Sequence, residues 1–311
     1  MKAIFLGTPE FAVPTLERMI AAGYRVLEVV TQPDRPKGRK RETLPSPVKI
    51  AALRHAIPVF QPERIRRPEA VEHLRAIAPD VMVVVGYGQI IPRSVIDIAP
   101  MGIINVHASL LPELRGAAPI QWSIARGFPR TGVTTMRIDA GLDTGAMLDR
   151  WETAIGPDET AQELSARLAE AGADLLIRTL ESLSSGTARP EPQDDRRATL
   201  APILKKEDGR IQWQRSAQRI HDLIRGLQPW PGAHTSFRGQ SLHLWRSRLK
   251  PSQQRRTLPP GTLIHEGGVF AIGGDGASLE LLEVQLEGRK KMPAQVFANG
   301  HRLTPNDVLG T

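Results

Sequence analysis

KAIFLGTPEFAVPTLERMIAAGYRVLEVVT, residues 2–31, holds the pattern from which the architecture follows. The apolar run KAIFLG has the length of a buried strand. Thr8-Pro9 predicts an N-cap followed by proline at the first helical position. Phe11, Leu16, Met19 and Ile20 then give a helix one apolar face, and Gly23 is placed to end it. RVLEVVT (25–31) reads as a second strand. Strand, helix and strand joined this tightly imply a right-handed crossover and a parallel pair.

The alternation continues outward. DVMVVVGYG (80–88) is nearly all apolar, as a strand buried on both faces must be. GIINVH (102–107), GVTTMRI (132–138) and AMLDRWE (146–152) are further strand candidates, with a helix over APIQWSIARG (118–127). The class is α/β. Gly7-Thr8-Pro9 lacks the glycine spacing of a dinucleotide fingerprint, so no nicotinamide site is assigned. From Thr160 the pattern changes. Thr160 and Glu163 make a capping box, and Leu164, Leu168, Leu175, Leu176, Leu180 and Leu183 follow at helical spacing, a packing stripe expected to dock on the sheet. Gly186 ends it, and TARPEPQDD (187–195) reads as a Pro-rich polar linker. A short helix around Ser216–Leu227, a PWPG turn and several short β runs between Gly-rich turns come next, the pattern of a small β-barrel or sandwich.

Composition narrows the function. The 311 residues exceed one core, so two domains are expected. Cysteine is absent, which excludes disulfides, thiolate metal sites and a cysteine nucleophile. MKAIFLGTPEF is too short in apolar residues for a signal peptide or membrane span, and a cytoplasmic location without a membrane is expected. The pI is near 10.2, and the charge is uneven. Residues 203–311 carry 16 Lys and Arg against 9 Asp and Glu, and DRPKGRKRETLPSPVK (34–49) carries 6 basic against 2 acidic residues. Such clustering is either solvated charge or the footprint of a polyanion such as nucleic acid.

Within NVHASLLPELRGAAPIQ (105–121), Asn105 and His107 share a strand face. An amide that donates to an oxygen, beside an imidazole that moves protons near neutrality, suits a reaction in which a carbonyl oxygen gains charge while a nitrogen loses a proton. Asp143, in Gly-Leu-Asp-Thr-Gly, is the better carboxylate to orient the imidazole; Asp139 is expected to finish the preceding strand. The plainer reading is an internal hydrogen-bonded pair and a turn-forming aspartate. Ser109 as a hydrolase nucleophile lacks the glycine pattern of a nucleophile elbow, and the scattered histidines give a metal site little support.

The Asn-x-His-x-Ser-Leu-Leu-Pro run together with GLDTG resembles the folate-dependent formyltransferases. FLGTPEFAVPTL, TQPDRPKGRKRETLPSPVK and DVMVVVGYGQIIP, with GRIQW, QPWPGA and PGT in the tail, are similar to the branch of that family that acts on aminoacylated tRNA. The sequence departs from the common pattern at Leu200 and Gly86. The resemblance implies a Rossmann-like, mostly parallel sheet in a catalytic domain (1–186), a linker (187–205) and a smaller, OB-like C-terminal β-barrel that binds tRNA (206–311). It implies formyl transfer from 10-formyltetrahydrofolate, a cosubstrate, to the α-amine of methionyl-initiator tRNA, with no metal and with a monomer expected. Asn105, His107 and Asp143 would be catalytic. Ser109, Leu110, Leu111 and Pro112, with Val85, Gly86, Tyr87 and Gly88, would line the folate site, and Arg39, Lys40 and Arg41 would contact the tRNA. Two alternatives stay open: the same chemistry on another amine, and an RNA-binding module with an inactive α/β domain.

Overall fold

The computed structural model describes residues 1–37, 42–249, 256–304 and 306–310. The chain divides into two compact units. One comprises Met1–Gly116, Thr131–Thr153 and Ser165–Leu200; the other comprises Ala117–Arg130, Ala154–Leu164 and Ala201–Thr311.

The strands of the first unit are, in chain order, β1 (Lys2–Gly7), β2 (Arg25–Val30), β3 (Arg35–Lys37), β4 (Glu42–Leu44), β5 (Val59–Phe60), β6 (Val81–Val85), β7 (Ile103–His107), β8 (Arg115–Gly116), β9 (Arg130–Arg137), β10 (Met147–Ala154) and β11 (Leu200–Ala201). Seven of them form one sheet in the order β10-β9-β7-β6-β1-β2-β5. Its β5-β2-β1-β6-β7 portion is parallel, and β9 runs antiparallel to β7. The sequence explains the arrangement. Every residue of β6 and β7 is buried, which only strands covered on both faces require. Ile4, Leu6, Val30, Leu74, Met82 and Ile103 share one core.

The helix Ala161–Ser184 starts on the expected capping box: Thr160 Oγ1 accepts from Glu163 N at 3.3 Å, while Thr160 N donates to Glu163 Oε2 at 2.8 Å. Its leucines at 168, 175, 176 and 180 are fully buried. A side chain at Gly172 would lie 3.0 Å from a Val106 methyl and 3.3 Å from one of Val133, so glycine lets this helix sit close on β7 and β9. The N-cap expected at Thr8 is not formed. Pro9 leads into a single 3-10 turn, Glu10–Ala12, before the helix Val13–Ala21. The reason is competition: Thr8 Oγ1 donates to Tyr87 O at 3.0 Å and accepts from Gln32 N at 3.3 Å, tying the ends of β1, β2 and β6 together.

The second unit carries β12 (Ala233–Phe237), β13 (Gln240–Leu249), β14 (Leu263–His265), β15 (Val269–Ile272), β16 (Ser278–Leu286) and β17 (Met292–Pro293). They form an antiparallel sheet in the order β12-β13-β16-β15-β14, with β17 paired to β16. The expected barrel is not closed: among the described residues β12 and β14 end the sheet without pairing to each other. Closure needs a continuous ladder between tilted edge strands. Here helices complete the core instead: Ile220 and Ile224 of the helix Ala217–Gly226 and Phe297 of Ala294–His301 join Phe237, Leu242, Leu244 and Leu279. Among the described residues no helix is long and apolar enough to cross a membrane.

Candidate active site

Parallel register sets Gly7 beside Val85 and Val84 beside Asn105, so β1, β6 and β7 run out toward one edge of the sheet. That edge is where open α/β sheets place ligands. Asn105 and His107 project from the same face of β7, as residues two apart must, and are 8% and 6% exposed.

Asp143 reaches them from the loop after β9. This loop folds back on the strand, with Arg137 N donating to Ala146 O at 2.9 Å. Only glycine fits at 145, where a Cβ would lie 1.9 Å from Arg137 O. Asp143 itself has φ +51°, a left-handed conformation that aspartate tolerates better than most residues. Its Oδ2 accepts from Gly116 N at 2.8 Å and lies 3.6 Å from His107 Nδ1, while Oδ1 lies 3.4 Å from Asn105 Nδ2. The other ring nitrogen, Nε2 of His107, is 3.0 Å from Leu114 O. A carbonyl can only accept, so Nε2 carries the hydrogen in this contact. Nδ1 is left facing the carboxylate. The structure thus brings Asn105, His107 and Asp143 into one cluster, and leaves Asp139 to a local role, accepting from Gly141 N at 3.1 Å and Thr144 Oγ1 at 2.7 Å.

Among the groups that hold this cluster, Gln193, Thr199 and Thr134 escaped the reading of the sequence. Gln193 Nε2 donates to the carbonyls of Asp143 and Gly145, both at 2.8 Å, and its Oε1 accepts from Arg115 Nε at 3.0 Å and Nη2 at 2.8 Å. Arg115 Nη2 also donates to Asp195 Oδ1 at 2.8 Å, so this buried guanidinium is used as a structural tie. Thr199 Oγ1 accepts from Leu114 N at 2.9 Å, fixing the residue whose carbonyl meets His107. Gln193 lies in the Pro-rich stretch and Thr199 just after it, both within the 187–205 segment read as a linker, whose composition does not mark it as support for the site. Thr134, opposite His107 on β9, donates to Ser109 O at 2.7 Å and accepts from Leu111 N at 3.1 Å.

The expected folate-lining residues offer backbone rather than side chains. Ser109 Oγ is turned inward to Glu113 O at 2.6 Å, Leu111 and Pro112 are buried, and Leu110 is half-buried. Val85 and Tyr87 point into the core, while Gly86 and Gly88 have φ +58° and +86°, a turn that few side chains could adopt. Burial pushes the Tyr87 hydroxyl well above its ordinary pKa. Ile90, two residues after Gly88, and Leu142, next to Asp143, are 92% and 61% exposed. Just beyond Gly88 a cavity of about 310 Å³ is lined by Gln32, Arg35, Arg64, Arg66 and Gln89; it does not include the Asn105 cluster.

Arg39, Lys40 and Arg41 lie outside the described residues. The chain on either side of them is paired, Arg35 with Leu44 and Lys37 with Glu42. Below, Lys49 Nζ contacts the Asp34 carboxylate and donates to Gln61 Oε1 at 2.7 Å, and Gln61 Nε2 donates to Asp34 Oδ1 at 2.8 Å and Gln32 O at 2.9 Å. Hydrogen bonds from Lys49 and Gln61 hold the Asp34 carboxyl below its usual pKa. Among the described residues no group of three His, Cys, Asp or Glu side chains is placed to hold a metal ion.

Residues 1–180 match the formyl transferase family, and residues 203–302 match the formyl transferase C-terminal domain. A methionyl-tRNA formyltransferase of Solibacter usitatus is 62% identical over 310 residues, covering 100% of this chain and 99% of the relative. One from Koribacter versatilis is 54% identical over 312 residues, again covering 100% and 99%. Among solved structures, a sugar 3N-formyl transferase superposes with a TM-score of 0.70 at 17% identity, covering 93% of this chain and 99% of the other. The methionyl-tRNA formyltransferase from Clostridium thermocellum gives 0.58 at 18% identity, covering 91% and 99%. At such identities the structural likeness speaks for the fold alone.

Proposed function

This chain belongs to the formyl transferase family, and from that premise we propose that it transfers the formyl group of 10-formyltetrahydrofolate to the α-amine of methionyl-initiator tRNA, for translation initiation. The observation that carries the reading is the buried Asn105–His107–Asp143 cluster in a chain 62% identical, end to end, to a methionyl-tRNA formyltransferase. The amine nitrogen attacks the formyl carbon, the carbonyl oxygen takes up negative charge, and the bond to the folate nitrogen then breaks. The amine loses a proton and the departing folate nitrogen gains one. Asn105 Nδ2 is the neutral donor for the charged oxygen, and its long contact to Asp143, 3.4 Å, yields to that better acceptor. His107 moves the proton, with Asp143 fixing its ring.

The folate binds along the backbone of Val85–Gly88 and Ser109–Pro112, where Gly86 and Gly88 let the main chain approach a flat ring. Arg39, Lys40 and Arg41 carry the tRNA acceptor end to the site. Residues 1–186 supply the chemistry, 206–311 grip the RNA, and 187–205 contribute Gln193 and Thr199 as positioning residues. The protein works in the cytoplasm as a monomer of 34.2 kDa, a mass that light scattering in solution measures.

The test is formyl transfer from 10-formyltetrahydrofolate to methionyl-initiator tRNA. Replacing Arg39, Lys40 and Arg41 together with alanine should weaken tRNA binding and flatten its salt dependence while folate binding is kept. Equal loss of both ligands would remove the basic loop from this scheme.

A further inference from the structure

β13 is interrupted by a β-bulge. Leu244 pairs with Val284, Arg246 with Glu283 and Ser247 with Leu281, so the register shifts at Arg246 and returns at Ser247, leaving Trp245 on β13 and Leu282 on β16 out of the ladder. Bulges re-aim side chains, and they recur at functional edges. Before the bulge Leu242 and Leu244 point into the core; after it Ser247 does, at 8% exposed. Trp245 and Arg246 are therefore both left on the outer side, and Arg248 follows them there. Without the irregularity, strict alternation would turn Arg246 inward and Ser247 outward.

The side chains so displayed border a cavity of about 100 Å³, whose lining includes Thr160, Gln228, Trp245, Arg246 and Arg248. That volume is well below the few hundred Å³ of a drug-sized ligand site and suits a single small group. The other charged groups around it are already occupied. Arg225 donates to Asp222 Oδ1 at 2.7 and 2.9 Å and to the carbonyls of Gly156 and Glu159 at 3.0 and 2.8 Å. Asp158 is turned to His221 Nε2 at 3.3 Å, and Glu163 is hydrogen-bonded by Thr160 while also lying within electrostatic reach of Arg246. Among the described residues no carboxylate forms an ion pair with Arg246 or Arg248. Glu283 is the ladder partner of Arg246 and forms no ion pair with it.

One wall is rigid. Trp245 Nε1 donates to Gln285 Oε1 at 2.9 Å, His243 stacks on the indole with ring centroids 5.6 Å apart and planes at 12°, and Lys291 Nζ sits 3.7 Å from the ring centroid. Two guanidinium groups that form no ion pair among the described residues, a small cavity between them, and an aromatic wall carrying a third cation make up the chemistry that holds a phosphodiester.

We propose that the cavity at the β13 bulge seats one backbone phosphate of the RNA acceptor between Arg246 and Arg248, with Trp245 as the wall beside the adjoining nucleotide. The inference rests on the reading that the acceptor is tRNA. It goes beyond a diffuse positive charge on this domain, because it assigns the contact to two guanidinium groups and to the break in alternation that exposes them.

Methionyl-initiator tRNA binding is measured across a salt series for the full chain, for Arg246→Ala/Arg248→Ala and for Arg246→Lys/Arg248→Lys, with formyl transfer followed in parallel. The alanine pair should weaken tRNA binding by roughly 10-fold, as the loss of a hydrogen bond to a charged group does, and lower the log–log salt slope by about 1. It should raise KM for tRNA and leave kcat and folate binding unchanged. The lysine pair should keep the salt slope and recover only part of the affinity, because lysine lacks the forked geometry. An alanine pair that melts normally and keeps wild-type affinity and slope overturns the seat, whatever the transfer assay shows. A wild-type chain that binds tRNA but transfers no formyl group removes the functional reading, and the slope comparison still decides the seat.

Discussion

β7 and β13 both carry polar side chains to a proposed working surface, and they do so by opposite means. β7 is buried on both faces, so Asn105 and His107 sit inside the protein at 8% and 6% exposed. β13 is covered on one face only and uses a bulge to turn Trp245, Arg246 and Arg248 outward. The difference follows the task. A donor aimed at developing charge is worth most where water is excluded. A cation that recognises a phosphate must remain reachable and is tuned by salt.

The comparison breaks first at Asn105. Asn105→Ala should cut the rate of transfer by roughly 100- to 1,000-fold, the usual loss for one oxyanion donor, with the thermal midpoint held near wild type. A rate within about twofold of wild type would return Asn105 to the role of an internal hydrogen-bonding group. A smaller effect is expected one layer out. Gln193→Ala removes the two bonds on the Asp143 and Gly145 carbonyls and lets the carboxylate drift. Transfer should fall roughly 10- to 100-fold, as a displacement of about 1 Å from productive geometry costs, while the salt dependence of tRNA binding is unchanged. Loss of tRNA affinity instead would show that Gln193 serves the RNA.

The smallest effect sharpens the contrast in the second unit, where His221 is a buried group in the lining of the cavity at β13. Burial holds its pKa below the ordinary histidine value of 6.5, and nearby Arg225 pushes the same way. The folded chain therefore prefers the neutral ring. Stability from this residue is full above pH 6.5 and is lost as the pH falls from there toward the folded-state value, with a slope of at most about 1.4 kcal/mol per pH unit. Denaturant melts at pH 7.5 and 5.5 should differ less in His221→Gln than in wild type. An unchanged difference would assign the acid sensitivity to other groups.

The seven-stranded sheet could be read from the sequence because its signals are local: apolar runs such as VMVVV in β6, the Gly23 stop, and the Thr160–Glu163 cap. Asn105 and His107 were visible as polar residues two apart in an apolar strand. Gln193, Thr199 and Thr134 were not, because their roles arise from contacts across the fold: Gln193 acts on a carbonyl 50 residues away and Thr199 on an amide 85 residues away. A Pro-rich polar stretch looks the same whether it hangs free or threads beneath a site. Thr8 had the sequence of a cap and lost that role to Tyr87 O and Gln32 N. Closure of the second sheet was over-read because regularly spaced β runs do not reveal whether edge strands meet or helices fill the gap. The bulge at Trp245 left its mark as a break in alternation, two outward residues in succession, which only the register with β16 makes legible.

The most direct measurement is single-turnover formyl transfer from 10-formyltetrahydrofolate to methionyl-initiator tRNA by the wild-type chain and by His107→Ala, with folate and tRNA binding measured on both. Wild-type transfer that is lost in the variant while both ligands still bind is the predicted result, and it puts the proton-moving centre at the end of β7. A variant that transfers at a rate near wild type would contradict the account, because the cluster of Asn105, His107 and Asp143 would then be part of the core and the chemistry would lie elsewhere.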